Sequence, residues 1–257
     1  MPDCIIMEMV PPRGPTRADY DCIVSELEAQ GFHVTFANRF PSAAVGDKTD
    51  RERWILTAHI GDPIDFTSTL PSVSGSIRDC LVPSHLVPAG AYVRRHDGEP
   101  LSLSDLRRPS WPVFDAHSDD NRINYVPDEH APRTRAILLC EVPWPDLTGK
   151  GVRVYSIDGL IVTQTSWCNA LILDDRGTRY LLLSECVRIA GLHLDPTLLP
   201  FLESVSPKDA LHYVANAVTG GVMTHVYAAC TDALEASPIT TQSHEVSLAP
   251  ISPMQTQ

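Results

Sequence analysis

Prolines interrupt this chain along its whole length, since 22 of its 257 residues are prolines and another 14 are glycines. Proline donates no backbone hydrogen bond and ends most helices, so such a chain folds into short elements joined by loops rather than into a helical bundle. Apolar residues make up 43% of the sequence, which is enough to build a core. We therefore expect one large folded domain or two modest ones.

The first sixty residues show a strand, helix, strand and strand pattern. An apolar run at 4–10 predicts a buried strand that carries Glu8 near its end. Apolar residues at helical spacing predict a helix over 17–30, and strands are predicted at 32–36 and 53–58. This order indicates part of a wound α/β sheet.

Residues 61–177 lack helical periodicity and contain only brief apolar runs, which predicts an irregular, strand-rich insertion. Every basic residue between 71 and 140 is an arginine: Arg78, Arg94, Arg95, Arg107, Arg108, Arg122, Arg133 and Arg135. Guanidinium groups suit directed contacts with phosphates or bases. Acids in the same segment balance this charge, so ordinary loops with paired charges are an equally good interpretation.

Helical spacing returns after residue 177 and predicts helices over 184–191, 207–217 and 222–234. The polar segment from 243 onwards predicts a flexible tail. The predicted divisions of the chain are 1–60, 61–177, 178–242 and 243–257.

Charge and hydropathy exclude several classes of protein. The net charge is −12, so any contact with a nucleic acid must be local rather than driven by the overall field. No apolar run approaches the roughly 18 residues of a membrane span, and Glu8 argues against a secretory signal. Seven scattered cysteines without a CxxC pair indicate free thiols in a reducing compartment. We expect a soluble intracellular protein, cytoplasmic or nuclear.

Four short motifs follow one another along the chain. They are IIMEMV at 5–10, GDKTDRER at 46–53, RYLLLSECVRIAGL at 179–192 and YVANAV at 213–218. At these residues the chain resembles the C-terminal half of DNA cytosine-5 methyltransferases, whose motifs are ENV, QxRxR, RxLxxxExxRxQxF and GNAV. The resemblance covers nearly the whole chain. It implies a partial methyltransferase sheet of the Rossmann-like type with an inserted, β-rich target-recognition domain.

The match to these motifs is incomplete. The matching residues are Glu8, Val10, Arg51, Arg53, Arg179, Leu181, Glu185, Arg188, Asn216, Ala217 and Val218. The departures are Met9, Thr49, Ala190, Leu192 and Ala215, which stand where the family has Asn, Gln, Gln, Phe and Gly.

The resemblance implies a chemical role for the first two motifs. Adding a nucleophile to cytosine requires negative charge to be drawn into the ring, which a carboxyl group and a guanidinium achieve. It assigns these roles to Glu8, at N3 and N4 of a flipped base, and to Arg53, at O2, with Arg51 beside them. Alternatively, Glu8 is a strand-end acid that pairs with an arginine or caps the following turn, and Arg53 forms a salt bridge with Asp50 or Glu52.

The later motifs imply binding and structural roles. Asn216, Ala217 and Val218 are expected at the edge of a pocket for S-adenosylmethionine. Arg179 is expected to be structural, and Glu185 and Arg188 to form a pair on one helix that braces the recognition domain. Double-stranded DNA is the implied partner, and the insert arginines expected to contact it are Arg78, Arg94, Arg95, Arg107 and Arg108.

Two elements of the family's catalytic machinery are missing from this sequence. No cysteine follows a proline, so the nucleophile of the Pro-Cys-Gln loop is absent, and so is the glycine-rich FxGxG turn for the cofactor. We therefore expect no activity from this chain alone. It is either a truncated form or one subunit of a split enzyme with a separate N-terminal partner, or else an inactive relative that binds DNA or protein.

One acidic cluster, DAHSDD at 115–120, contains residue types that bind metals. No second histidine or cysteine group stands at a recognisable spacing, so a solvated acidic loop is the better interpretation and we expect no metal site.

Overall fold

The computed structural model describes residues 3–12, 14–67, 75–94, 98–102, 136, 138–142, 152–163 and 170–236. Three sheets are present in this part of the chain. The predicted helix and strands of the first sixty residues are all found, with small differences in their bounds.

The first sheet contains three antiparallel strands in the order β1–β4–β2. Strand β1 is Cys4–Met9, β2 is His33–Pro41 and β4 is Glu52–His59. The central strand, β4, is nearly all buried, which explains its continuous apolar run. Strand β2 extends five residues beyond its predicted end, through an irregularity between Ala37 and Phe40.

One face of this sheet packs against helix α1, Arg17–Ala29. Its buried residues are Phe32, Trp54, Leu56 and Ala58, with Ile5, Met7, Met9, Tyr20, Val24, Leu27 and Val34 packed around them. Tyr20 meets Trp54 edge to face at 4.8 Å, a favourable geometry for aromatic rings. The odd-numbered residues of β1 thus face α1.

The opposite face packs against helix α5, Gly220–Ala236. Phe40, Ile55, Ile64, Phe66, Val222, Val226 and Cys230 form this second cluster. Cys4 and Ile6 of β1 contribute to it, so the sheet lies between two helices. Glu8 follows on the same face of the strand because side chains alternate along it.

The remaining strands belong to the predicted insertion and to its junctions with the rest. Strand β3, Thr49–Asp50, pairs in parallel with β7, Ile161–Val162. Four strands form the sheet β5–β6–β8–β9. Their bounds are Leu138–Val142, Val152–Ser156, Leu171–Asp174 and Gly177–Tyr180.

Three short helices cover the insertion. They are α2, Leu183–Ile189, α3, Leu198–Ser204, and α4, Pro207–Asn216. One hydrophobic cluster joins insertion residues such as Tyr155 and Ile172 to Cys186, Ile189 and Val214 of these helices. The strand pair β3–β7 and this shared core therefore connect segments on the two sides of the predicted domain boundaries at 60/61 and 177/178. The boundaries themselves stay predictions.

Helix α3 was not predicted, because it has seven residues and contains Pro200. Pro200 is the third residue of the helix, where the backbone N–H has no partner within the helix, so the proline is tolerated.

The start of α5 depends on two glycines. A Cβ at Gly220 would lie 2.0 Å from the carbonyl oxygen of Gly191, and one at Gly221 would lie 2.7 Å from that of Val45. Only residues without a side chain allow this approach of backbone to backbone.

We expect Gly220→Ala to lower the free energy of unfolding by about 2 kcal/mol, because either the helix or the 190–191 turn must move. Gly90→Ala is the matched control, since a Cβ there meets nothing within 4 Å. Urea unfolding of the two variants measures the difference, and equal stabilities would contradict the close approach.

Candidate functional site

The structure brings together the acid of the first motif and both arginines of the second. Glu8 of β1 lies opposite Ile55 of β4, so Arg53 is its diagonal neighbour on the same face of the sheet. Arg53 Nε lies 2.6 Å from Glu8 Oε1, and Arg51 NH2 lies 3.9 Å from the same oxygen. Arg53 also donates to the Glu52 carbonyl at 2.8 Å, and the Glu52 carboxylate pairs with Arg39 at 2.8 Å. The contact of Glu8 with Arg53 is also the pairing with an arginine that the alternative interpretation of Glu8 expects.

Both guanidinium groups are held away from solvent. Burial, and next the neighbouring Arg53 cation, lower the pKa of Arg51 to about 10, against the opposing effects of Glu8 and Asp47. Burial also lowers the pKa of Arg53. At neutral pH both groups are still cations, so two positive charges lie beside the Glu8 side chain.

Arg51 also connects the second motif to the fourth. Its NH1 donates a 2.7 Å hydrogen bond to the carbonyl of Ala215, near the end of α4. Its Nε is buried without a hydrogen-bond partner among the described residues. The backbone of the YVANAV motif is thereby fixed beside the Glu8–Arg53 pair.

Asp47 is a buried acid whose importance the sequence did not reveal. Its Oδ1 accepts a hydrogen bond from the backbone N–H of Gly221 at 3.1 Å, so it caps the start of α5 from a loop 174 residues away. Its Oδ2 is buried and has no hydrogen-bond partner among the residues the structure describes. Burial raises the pKa of Asp47 to about 6, against the opposing effects of Thr219, Gly221 and Arg51.

This raised pKa makes stability depend on pH. Between about pH 4 and pH 6 the folded chain holds a proton on Asp47 that the unfolded chain has lost. The contribution of this group to the free energy of unfolding is therefore greatest below pH 4 and is lost as the pH rises through 6. The wild type should lose between about 2 and 3 kcal/mol of unfolding free energy between pH 4 and pH 7.5 through this group, and Asp47→Asn should not lose it. The difference in stability between variant and wild type should therefore shift by that amount in favour of Asp47→Asn. The exposed Asp21→Asn change is the control. Parallel pH profiles for wild type and Asp47→Asn would refute the assignment.

The fourth motif lies beside an apolar cleft of about 550 Å³. The cleft is lined by Leu192, Leu198, Phe201, Leu202, His212, Tyr213, Val214, Asn216 and Ala217. The amide of Asn216 donates to the carbonyl of His212 at 2.8 Å, within its own helix. Val218 instead packs against the cluster between α5 and the first sheet.

The third motif forms a buried network of charges. Arg179 donates to Asp174 at 2.6 Å and grips both carboxylate oxygens of Glu185 at 2.8 and 2.9 Å. Burial works against the Arg179 cation, but hydrogen bonds to Glu185 and Asp174 outweigh it and raise its pKa. The expected pair of Glu185 with Arg188 is corrected here, since Arg188 Nε donates to the Ser184 carbonyl.

Glu185 joins three segments of the chain. Besides Arg179, it accepts hydrogen bonds from the backbone N–H groups of Leu182 and Val82, both at 2.8 Å. It therefore occupies the start of α2 and holds the loop around Val82 against that helix. This is a bracing role that acts through Arg179 and not through Arg188.

Two of the five insert arginines are described, and both have intramolecular partners. Arg78 is exposed and pairs with Asp158. Arg94 donates to the carbonyls of Gly98 and Ala89. Arg95, Arg107 and Arg108 lie outside the described residues, as does the acidic cluster at 115–120.

No group of three or more His, Cys, Asp and Glu residues that could hold a metal ion occurs in the described ranges. Within the same ranges, no helix has the length and apolar character needed to cross a membrane.

The mixed α/β fold is similar to that of solved methyltransferase structures. No protein-family model and no curated protein sequence matches the chain, whereas solved structures do. A methyltransferase of Entamoeba histolytica, EhMeth, matches with a TM-score of 0.55 at 12% identity, over 91% of this chain and 63% of that one. The S. pombe Dnmt2 methyltransferase matches with a TM-score of 0.53 at 14% identity, over 91% of this chain and 66% of that one. A DNMT2 mutant of Spodoptera frugiperda matches with a TM-score of 0.54 at 13% identity, over 89% of this chain and 66% of that one. The chain thus spans about two thirds of the length of these structures.

Proposed function

We propose that this chain is the C-terminal part of a cytosine-5 DNA methyltransferase that polarises a flipped cytosine with Glu8 and Arg53. The observation that carries the proposal is the contact of Glu8 with Arg51 and Arg53, which follow it by more than forty residues in the sequence. A shared motif order alone would not require this contact.

The charges of the site fit the chemistry. Attack of a thiolate on C6 of cytosine pushes electrons towards N3 and O2 of the ring. Once it has taken up a proton on binding of the base, the Glu8 carboxyl group hydrogen-bonds at N3 and N4, and the Arg53 guanidinium stabilises the charge on O2 by hydrogen bonding. Arg51, fixed to the Ala215 carbonyl, holds the carboxyl group in place and is a positioning residue.

The described residues supply only part of a cofactor site. When bound, S-adenosylmethionine provides the methyl group for C5. The cleft beside Asn216 and Ala217 is apolar and its lining contains no carboxylate for ribose hydroxyls or an amino group. Together with the missing FxGxG turn, this supports our proposal that cofactor binding needs segments from a separate polypeptide or a longer chain.

The free edge of β1 in the first sheet also supports the proposal that a further segment completes this fold. Among the described residues, β1 pairs only with β4, and each of its six residues is partly exposed. An apolar strand with one free edge is a site at which a sheet can be extended.

DNA is the proposed substrate, with the target base flipped out of the duplex. The insertion at 61–177 supplies the contacts, including Arg95, Arg107 and Arg108. Arg78 and Arg94 must exchange their present partners in order to take part, so we expect them to contribute less.

An inactive relative that binds DNA or protein is the second candidate. It is favoured by Thr49 and Ala190, which replace two family glutamines by smaller residues and are both buried. Both positions belong to the packed interior of this chain.

Methyl transfer from tritiated S-adenosylmethionine to mixed-sequence duplex DNA tests the proposal. We expect none from this chain alone, and transfer when it is expressed with an adjacent or continuous segment that carries a glycine turn and a Pro-Cys dipeptide. Complex formation and DNA binding without transfer would support the inactive relative. Transfer by the chain alone would contradict the proposed division of roles.

A further inference from the structure

The cleft beside the fourth motif is open to solvent, although it is lined mainly by apolar side chains. Its volume is about 550 Å³, and α3, α4 and the turn before them contribute its lining. Phe201 of α3 meets Tyr213 of α4 edge to face, with ring centroids 5.4 Å apart. These side chains are 47% and 49% exposed, and Leu194, two residues after the lining residue Leu192, is 75% exposed. Exposed apolar groups gathered around one cleft indicate an interaction site.

The polar groups of the cleft do not favour a small polar ligand. Sites for small molecules hold a few polar groups that converge on the ligand. The amide nitrogen of Asn216 instead lies 2.8 Å from the His212 carbonyl and 3.2 Å from Nδ1 of the same histidine. Two walls of the cleft are helices, so a partner does not bind there by extending a sheet. Both features favour a partner that inserts apolar side chains, as an amphipathic helix does in a groove.

The exposed charges around the cleft are mainly acidic. Asp195 and Glu203 are exposed in the segments that line it, and Asp209 lies one helical turn before Tyr213 on the same face of α4. Against these three acids, the segment 192–217 carries one lysine and no arginine. A complementary partner therefore has basic residues beside its apolar face.

Arg51 connects this cleft to the free edge of β1. Its guanidinium donates to the carbonyl of Ala215 at 2.7 Å, one residue before the cleft wall at Asn216. The same guanidinium lies 3.9 Å from Glu8 Oε1 on the edge strand. One partner can therefore contact both the edge and the cleft. The solved structures of similar fold extend beyond the part that this chain covers, which leaves room for such a partner.

We propose that the cleft between α3 and α4 is a docking site for an amphipathic helix of the segment that completes the fold, a helix with an apolar face flanked by basic residues. The helix inserts apolar side chains against Phe201 and Tyr213, and its basic residues lie beside Asp195 and Glu203. This docking site rests on the proposed function, because that function requires a completing segment. It gives the segment a second contact besides the edge of β1.

The test titrates the full chain with the completing segment, the polypeptide that carries the glycine turn and the Pro-Cys dipeptide, by calorimetry without DNA or S-adenosylmethionine. We expect Phe201→Ser and Tyr213→Ser each to weaken the complex about 10-fold or more, because aromatic anchors dominate the affinity of such interfaces. Leu86→Ser is the control, since Leu86 is 64% exposed on a turn of the insertion and should leave the affinity unchanged. Glu203→Gln should weaken the complex about 2-fold at low salt and less at high salt.

Labelling of the wild type keeps the test decisive even if a variant folds poorly. Hydroxyl-radical labelling, read by mass spectrometry, should fall at Phe201 and Tyr213 when the segment is added and stay unchanged at Leu86. Full labelling of both aromatic residues in a formed complex would overturn the docking site and leave the proposed function standing. Failure of the wild type to bind the segment would contradict both. Protection of the two residues by S-adenosylmethionine alone would assign the cleft to the cofactor and also overturn the docking site.

Discussion

Glu8→Gln should lower kcat of the reconstituted enzyme about 1,000-fold while leaving DNA affinity nearly unchanged. The glutamine keeps the size of the side chain and still accepts a hydrogen bond from Arg53, but it has no proton to give to the base. Negative charge develops on the base only as the nucleophile adds, and the glutamine does not balance it. The substitution should therefore lower the rate of turnover rather than the affinity for DNA.

The measurement is single-turnover methyl transfer with the chain and its complementing segment, together with DNA binding by the same complex. Glu28→Gln is the matched control, because Glu28 is exposed on α1 and distant from the arginines. An unchanged kcat in Glu8→Gln would remove the catalytic role and leave a salt bridge that only holds β1 to β4.

Variants of the insertion should behave in the opposite way. Loss of Arg107 or Arg108 should weaken DNA binding and reduce its salt dependence with little effect on the single-turnover rate at saturating DNA. This contrast separates groups that bind the duplex from groups that act on the flipped base.

The sequence predicted the parts of this fold that depend on local pattern. The apolar runs predict strands that carry Glu8 and Arg53, and the motifs imply that both residues act on one base. The pairing of β1 with β4 was not predicted, and β1 is partly exposed rather than buried. The structure confirms the α/β methyltransferase fold and finds the pair in contact. Local periodicity was sufficient here because the strands are short and nearly wholly apolar.

Long-range contacts of polar residues were not predictable in this way. Asp47 lies in a run of charged residues that is typical of a solvated loop, whereas in the structure it is buried and accepts a hydrogen bond from Gly221 at the start of α5. The spacing of three residues suggested that Glu185 pairs with Arg188, since residues three apart lie on the same face of a helix. Glu185 instead bonds to the backbone of Leu182, just before α2, and to the side chain of Arg179 in β9. The second contact depends on the path of the chain between β9 and α2, which residue spacing does not predict.

The network around Arg179 should be the most sensitive structural feature of the chain. One guanidinium, 1% exposed, forms ion pairs with two carboxylates, Asp174 and Glu185, whose side chains are themselves buried. Removing this cation leaves unpaired charges in the interior. We expect Arg179→Met to lower the unfolding free energy by about 3–5 kcal/mol, and Arg179→Lys to lose less because the charge stays while the fork to Glu185 is lost.

Arg176→Met separates this effect from the loss of any arginine in the same hairpin. Arg176 is exposed, donates to the Ser84 carbonyl and covers the ring of Tyr92, so its removal should cost less than about 1 kcal/mol. Urea unfolding of the three variants gives the order Arg176→Met, Arg179→Lys and Arg179→Met in increasing loss. If Arg179→Met were as stable as Arg176→Met, the two carboxylates would have to find other partners, and the network would not be what joins the insertion to α2.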